Sequence, residues 1–516
     1  VLTPKDFDLP EKFTEFRGNQ LQLSSQIATT SKYAYLLDAP TGVGKSLIAA
    51  TAQRIFDKHV TYICTNKQLQ DQIINDFPYA KTVKGRNNYR CLKFPKMYPT
   101  ISADDCTHTS KNPCPYIDAC PYNLAKAAAL KAPLAVLNTA FFLSITNYAE
   151  QFLDQDFLIL DECDTLESQL MNFIEVKITQ KQIDKYGLEM PKFKTKFESW
   201  IEWARLSLNK LRPRLATLEM EIQSDEWGGV SPQTIKEARS LGRLVSKLGY
   251  FVREVDSSWV WYPGETEWSF KPVWVAKYAE STIWKNAKKV LGMSATILDP
   301  RQYVMNVGLT TNKTHSYAYT QMDSPFPVEN RPVYYEPCAR VINKELQFAL
   351  PKLARAVERV MEKHKDDKVL IHTHSYPIRN YLMENIKSKR FITHATKDRV
   401  DILDKFKKSK DPLVLLSPSM DRGVDLPNDE CRAVIIAKVP YPYLGDPQVN
   451  KRVHASADGN KWYAYHTISA IIQMAGRGVR SPSDYASTYI LDGQFEKLYN
   501  EHREMFPKWF KESVIR

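Results

Sequence analysis

The chain has 516 residues, 43% hydrophobic and 25% charged, with 71 Lys and Arg against 59 Asp and Glu and a formal net charge of +12. A single hydrophobic core stops growing near about 250–300 residues, so one domain is excluded and at least two, with insertions, are expected. The composition is that of a folded globular chain, and no run approaches the ~18 consecutive apolar residues of a membrane span.

The cationic excess suits a polyanionic partner, because phosphate contacts supply most non-specific nucleic-acid affinity; alone it is a weak signal. Val1-Leu-Thr-Pro-Lys-Asp lacks the apolar core of a secretion signal, so an intracellular protein is expected. Its first residue is not Met, which fits a processed or trimmed start.

In chain order, Tyr33-Ala-Tyr-Leu-Leu-Asp reads as a strand running into a glycine loop, residues 46–58 as a helix, and Val60-Thr-Tyr-Ile-Cys-Thr as a second strand followed by a polar helix over 67–77. Such alternation predicts a parallel α/β sheet. Residues 84–123, rich in Pro, Cys, Asn and Lys, break the pattern and read as an inserted module. Strands resume with Leu134-Ala-Val-Leu-Asn and Phe157-Leu-Ile-Leu-Asp. Helical spacing over 197–220 and 231–255 predicts a mostly helical insertion across 176–256. Trp259-Val-Trp-Tyr and Trp268-Ser-Phe look like a hairpin returning to the sheet, which Lys289-Val-Leu-Gly-Met-Ser-Ala-Thr then closes. A second α/β unit follows, with strands at Lys368-Val-Leu-Ile-His-Thr, Leu413-Val-Leu-Leu-Ser, Ala433-Val-Ile-Ile-Ala and Ser487-Thr-Tyr-Ile-Leu.

Ala39-Pro40-Thr41-Gly42-Val43-Gly44-Lys45-Ser46 has the form of a phosphate-binding loop, with Ala for the usual first Gly. The glycines permit a tight turn that aims backbone N–H groups at phosphate oxygens, Lys45 supplies charge to the β- and γ-phosphates, and the Ser46 hydroxyl ligates Mg²⁺. Asp161 and Glu162 follow an apolar strand: Asp161 would hold Mg²⁺ through water and Glu162 would polarise the attacking water. Two acids ending a strand are ordinary caps in isolation; paired with the loop they become an ATP site. In Gln473-Met-Ala-Gly-Arg477-Gly-Val-Arg480 the two arginines share one face or turn, as cations do that stabilise phosphoryl-transfer charge. The bland alternative is a solvated basic helix end.

Four of the eight cysteines, Cys91, Cys106, Cys114 and Cys120, fall in the inserted module with 14, 7 and 5 residues between them. In an intracellular chain this points to a metal site rather than disulfides. Four thiolates hold either Zn²⁺ or a [4Fe–4S] cluster, and spacing alone leaves the two open. Cys64 and Cys431, in or beside apolar strands, read as packed thiols.

With these motifs in this order, nearly the whole chain resembles a superfamily 2 helicase of the XPD/DinG group. Arg17-Gly-Asn-Gln20 resembles that group's adenine-reading element, residues 39–46 its motif I, and Asp161-Glu-Cys-Asp164 its motif II, Cys163 and Asp164 being departures. Asp164 stands where a His usually couples the ATP and nucleic-acid sites. Ser294-Ala-Thr296 is similar to motif III, with Asp323-Ser-Pro-Phe326 just beyond it, and Ile371-His-Thr-His-Ser375 to motif IV. Met420-Asp-Arg-Gly423-Val-Asp425 is similar to motif V and residues 473–480 to motif VI; Pro440-Tyr-Pro-Tyr443 also fits the group. The resemblance implies that Gly423 and Asp425 take part in nucleotide sensing and nucleic-acid contact. It also implies that the four cysteines hold a [4Fe–4S] cluster and that 176–256 is an arch framing a pore for single-stranded DNA. Lys181, Lys192, Lys194, Lys196, Arg205, Lys210, Arg212 and Arg214 supply that insertion with cations, although a solvated helical face would have them too.

The expected architecture is two RecA-like parallel-sheet motor domains: residues 1–83, 124–175 and 257–300 form the first and 301–516 the second, with a cluster module at 84–123. The expected activity is ATP- and Mg²⁺-dependent unwinding of duplex DNA by 5′→3′ travel on a single strand, by a monomeric motor with no membrane partner. It would be cytoplasmic and nucleoid-associated in a bacterial or viral host, nuclear in a eukaryote. The alternative is a DNA-stimulated ATPase that displaces proteins from DNA without processive unwinding. A nuclease is disfavoured, since residues 1–17 leave no room for an N-terminal exonuclease domain and no spare acidic metal cluster is visible.

Overall fold

The structure, a computed structural model, describes residues 2–92, 102–106, 113–224, 231–310, 315–395, 397–419, 426–456, 458–479, 481 and 483–516. Two seven-stranded sheets dominate it, and every strand pair in both is parallel. The first runs, edge to edge, Tyr317–Gln321, Ala34–Asp38, Val290–Ser294, Phe157–Asp161, Val60–Cys64, Leu134–Asn138 and Lys81–Thr82. The second runs Phe391–Thr393, Val414–Ser417, Val369–His372, Ala433–Ile436, Ser487–Asp492, Val333–Ala339 and Val514–Ile515. These are the two α/β lobes expected from the alternating apolar runs.

The central strands are apolar on both faces because helices cover both. In Ala34–Asp38, Leu36 packs with Ile63, Leu137 and Leu158 on one side, while Tyr35 and Leu37 pack with Tyr62, Ile159 and Leu291 on the other. A strand buried on both sides reads as a continuous apolar run rather than an alternation. Burying each such Leu or Phe stabilises the fold by roughly 1.5–3 kcal/mol.

The first sheet does not close at Ser294. The chain passes Pro300–Asn306, a short helix, and returns as Tyr317–Gln321 to pair with Ala34–Asp38. The first sheet therefore takes a strand from beyond the boundary expected at 300. Tyr-Ala-Tyr-Thr-Gln is an edge strand with none of its residues fully buried, so its sequence carries no apolar run.

Trp259–Tyr262 and Glu267–Pro272 do form a hairpin, but it does not rejoin the main sheet. It pairs instead with Val176–Thr179 in a separate three-stranded antiparallel sheet. From this base rise two long helices, Phe197–Ser224 and Pro232–Glu254, packed against each other. Their foot shares one core with the first lobe: Trp200, Leu241, Phe251, Trp268 and Phe270 belong to the same buried cluster as Leu36 and Leu158. Within the described residues no helix is long and apolar enough to cross a membrane.

Candidate functional site

Strand register assembles the site. In the first sheet Asp38 pairs with Ser294, and Asp161 with Met293, so three neighbouring strands end at one level. From those ends issue the 39–46 loop, the Asp161–Glu162 pair and the Ser294–Thr296 segment. The loop turns through Gly44 at φ +78°, which caps the helix Lys45–Phe56. That helix presents its first-turn N–H groups and positive dipole end toward the loop, the arrangement that binds phosphate.

Lys45 Nζ donates to the carbonyls of Ala39 and Pro40 at 2.9 and 3.2 Å, folding back over its own loop. Gln20 lies on the same loop. Its Nε2 donates to Val43 O at 2.7 Å, its Oε1 accepts from Arg17 N at 2.8 Å, and a Cβ at Gly44 would come within 2.5 Å of Nε2. The upstream Arg17–Gln20 element is thereby brought to the phosphate loop, across 23 residues of sequence.

Asp161 Oδ2 accepts from the Tyr62 hydroxyl at 2.9 Å and Oδ1 from the Glu162 amide at 3.0 Å. Burial raises its carboxyl above the usual range, against the opposing pull of Lys45. Burial pushes the Tyr62 phenol well above its usual value, Asp161 raises it further, and Ser46 opposes them, so both groups expected to hold Mg²⁺ act on one phenol. Glu162 sits in the left-handed region at φ +50°, an unfavourable conformation for a residue with a long side chain. Thr65 Oγ1 donates to its Oε2 at 2.7 Å. The surrounding protein, by thinning its water, raises the Glu162 carboxyl, and Asp161 and Asp164 push it further. Tyr62 and Thr65 were not singled out in the sequence: one is an apolar-strand residue, the other a loop threonine, and only the folded register shows what they hold.

Asp164, the departure in the acidic motif, accepts a 2.6 Å hydrogen bond from Ser294 Oγ. Ser294 Oγ accepts in turn from Thr296 N at 3.1 Å, and Thr296 Oγ1 accepts from Gln473 Nε2 of the second lobe at 3.0 Å. A polar chain thus runs from the acidic loop to the helix Gly459–Ala475. Arg477 lies just beyond that helix and is buried. It approaches His372, whose imidazole is held at about 3 by burial, by the Arg477 charge and by His374. The expected partners Arg480, Gly423 and Asp425 lie outside the described residues.

A second contact between the lobes is ionic. Glu167, one turn past the acidic motif, is buried and receives Arg452 Nη1 at 2.5 Å and His466 Nε2 at 3.1 Å, both from the second lobe. Burial alone would raise the Glu167 carboxyl; Arg452 and His466 outweigh it and hold it at about 2. Arg452 is also sandwiched by Trp274 and Trp462, 4.7 and 4.6 Å from its guanidinium carbon.

Cys91, Cys106, Cys114 and Cys120 line one cavity, walled by Leu92, Ala103, Ile117 and Tyr122. Among the described residues the cavity is lined by four thiols and by no carboxylate or imidazole, a donor set that fits either a four-thiolate zinc or an iron–sulfur site. Among the described residues no three ligating side chains already stand at coordination distance. Arg239 of the second arch helix donates to the Cys106 carbonyl, tying the module to the arch. Arg86, Lys185, Lys236, Arg239 and Arg243 surround a neighbouring pocket between module and arch.

Residues 357–513 match the family described as Helicase C-terminal domain. Nearly the whole chain superposes on a solved structure called XPD helicase, with TM-score 0.65 and 16% identity, covering 97% of this chain and 99% of that one. A structure of S. tokodaii Xpd4 gives 0.61 and 16%, over 97% of this chain and 100% of that one. The chain therefore shares the fold of these two structures, and residues 357–513 of its second lobe are similar to a helicase C-terminal domain. In sequence it is 28% identical over 122 residues to the Gallus gallus Fanconi anemia group J protein homolog, covering 21% of this chain. It is 24% identical over 150 residues to the ATP-dependent DNA helicase CHL1 of Saccharomyces cerevisiae, covering 25% of this chain. These alignments span 10% and 17% of those two relatives' lengths.

Proposed function

We propose that this chain is an ATP-dependent DNA helicase that draws a single strand through its arch in the 5′→3′ direction. The observation that carries the reading is the common level at which three strands of the first sheet end. It sets Lys45, Asp161 and Glu162 beside one loop while the Ser294–Thr296 segment reaches the second lobe. Such a site hydrolyses a nucleotide and reports the result to a neighbouring domain.

Lys45 exchanges its two loop carbonyls for the β- and γ-phosphates. Ser46 and Asp161, which both act on Tyr62, are the residues that would hold Mg²⁺, which supplies positive charge to the phosphate oxygens. Glu162 orients the attacking water and accepts its proton, a role that a raised carboxyl suits. Arg477, with Arg480 beside it in sequence, neutralises charge on the transferring phosphoryl group from the second lobe. Gln20 and Arg17 contribute to the adenine side of the site, and Gly423 and Asp425 to sensing of nucleotide and strand.

Cys91, Cys106, Cys114 and Cys120 would hold a [4Fe–4S] cluster that pins an otherwise weakly cored module against the arch. The cationic pocket between module and arch, and a larger cavity reached by Arg212, Lys247 and Arg253, give a single strand's phosphates a route. The relative named ATP-dependent DNA helicase CHL1 supports DNA as the nucleic acid.

The test is unwinding of duplexes carrying a 5′ tail, a 3′ tail or no tail, with and without ATP. Unwinding from the 5′ tail, weak action on the 3′ tail and none on blunt ends is expected, falling steeply with salt. Efficient unwinding from a 3′ tail alone would overturn the polarity, and ATPase without unwinding on any substrate would favour a protein-displacing translocase.

A further inference from the structure

Phe326 occupies a position that neither the nucleotide machinery nor the lobe cores account for. It belongs to the segment joining the lobes, yet it is only 6% exposed. Its ring lies against the phosphate loop: a Cβ built on Gly42 would fall on the ring's tip, with Phe326 Cε1 at 2.9 Å. Gly42 has φ +84°, so the loop both needs a glycine for its turn and uses the missing side chain to admit the ring. The ring's other contacts are in the second lobe. Phe326, Val479 and Ala486 form a small buried apolar cluster separate from either lobe's core. Val479 lies two residues beyond Arg477. The Phe326 backbone is anchored to the second lobe as well: its carbonyl accepts from Arg331 Nε at 3.1 Å, and the Arg331 guanidinium also holds Trp509 O and the Ser513 hydroxyl.

We propose that Phe326 is a positioning residue that couples the conformation of the phosphate loop to the placement of the segment 477–479, which carries Arg477. Phosphates settling into the loop displace or tighten its Gly42 turn. The ring that fills that turn is rigid, with two rotatable bonds, and its far edge bears on Val479. A shift at Gly42 is therefore transmitted to the stretch that carries Arg477, through contact rather than through a hydrogen bond. The polar chain from Asp164 to Gln473 reports on the acidic side of the site; Phe326 reports on the phosphate side. The inference rests on the ATP-hydrolysis reading above.

The experiment measures steady-state ATPase of the full chain with saturating single-stranded DNA, together with equilibrium binding of a fluorescent ATP analogue. The variants are Phe326→Ala, Phe326→Leu, Val479→Ala and the Phe326→Ala/Val479→Ala double. Phe326→Ala is expected to lower kcat at least about tenfold while nucleotide affinity stays within about threefold, since the ring acts on transition-state placement rather than on binding. Phe326→Leu, which keeps an apolar wedge, should recover most of kcat and guards against a folding defect in the alanine variant. The double variant should be no slower than the worse single one, because both changes break the same contact. Weakened analogue binding with kcat unchanged, or losses that multiply in the double variant, would overturn the coupling role. Absence of hydrolysis by the unmodified chain would instead remove the ATPase reading and this inference with it.

Discussion

Ser294 Oγ donates to Asp164 Oδ1 at 2.6 Å, joining the end of one central strand to the loop after another across 130 residues of sequence. Through Thr296 the same pair reaches Gln473 in the second lobe. Asp164, which stands where the resembling group usually has a His, is thus tied by its carboxylate to the Ser294–Thr296 segment. A hydrogen bond to a charged group contributes roughly 1.5–3 kcal/mol. Ser294→Ala should cut strand displacement by about ten- to a hundredfold, the rate equivalent of that energy, while basal ATPase stays within about threefold. Comparing unwinding with DNA-free ATPase measures the difference; equal loss of both would mean that Ser294 serves hydrolysis itself.

Lys45→Ala should abolish ATP hydrolysis and leave single-strand binding nearly intact, because Lys45 lies on the 39–46 loop and lines neither cationic pocket beside the arch. Arg477→Ala should lower kcat by at least about a hundredfold with little change in KM, as expected for a cation acting on transition-state charge. Initial-rate kinetics over a range of ATP separates the two constants, and a change confined to KM would remove the arginine from that role.

The distribution of what could be read in advance follows from the range of each interaction. The strand–turn–helix around residues 39–46 was legible because its parts are contiguous and the turn demands Gly42 and Gly44. The central strands of both sheets were legible from apolar runs buried on two faces, whereas Lys81–Thr82, Val333–Ala339, Phe391–Thr393 and Val514–Ile515 were not. The edge strand Tyr317–Gln321 was not, since its half-exposed residues carry neither an apolar run nor a clean alternation. The partners of Glu167 were hidden for another reason: Arg452 and His466 lie 285 and 299 residues away, and a glutamate early in a helix looks like any solvated one. Only the docking of the lobes turns it into a buried ion.

The Glu167 cluster makes stability depend on pH. Its carboxyl is held at about 2 in the folded chain, below the ordinary glutamate value of 4.5. A depressed carboxyl contributes its stability fully above the unfolded value and loses it as pH falls through the folded one. The loss therefore spans pH 4.5 down to about 2, on the order of 3 kcal/mol for a shift of this size. Glu167→Gln should destabilise the chain at neutral pH by roughly 3–5 kcal/mol, because Arg452 remains buried without its counter-charge. It should also flatten the acid limb of a plot of Tm against pH. An unchanged acid limb in the variant would assign the acid sensitivity elsewhere.

Protein purified without oxygen should be brown, with a broad band near about 400 nm from sulfur-to-iron charge transfer. Cys106→Ser or Cys114→Ser should bleach it and make the inserted module sensitive to protease. Metal analysis finding stoichiometric zinc and no iron would replace the cluster by a structural zinc.

The shared core at the foot of the arch has a mechanical consequence. Trp200, Phe251 and Phe270 are packed into the same interior as the central strands of the first lobe, so bending the two long helices at their root would require opening that interior. Arg239 fastens the cysteine module to the same helices. First lobe, described module residues and arch are thereby joined as one unit, which meets the second lobe through Glu167–Arg452 and Thr296–Gln473. If the chain is the motor proposed above, relative movement belongs at that interface rather than at the root of the arch.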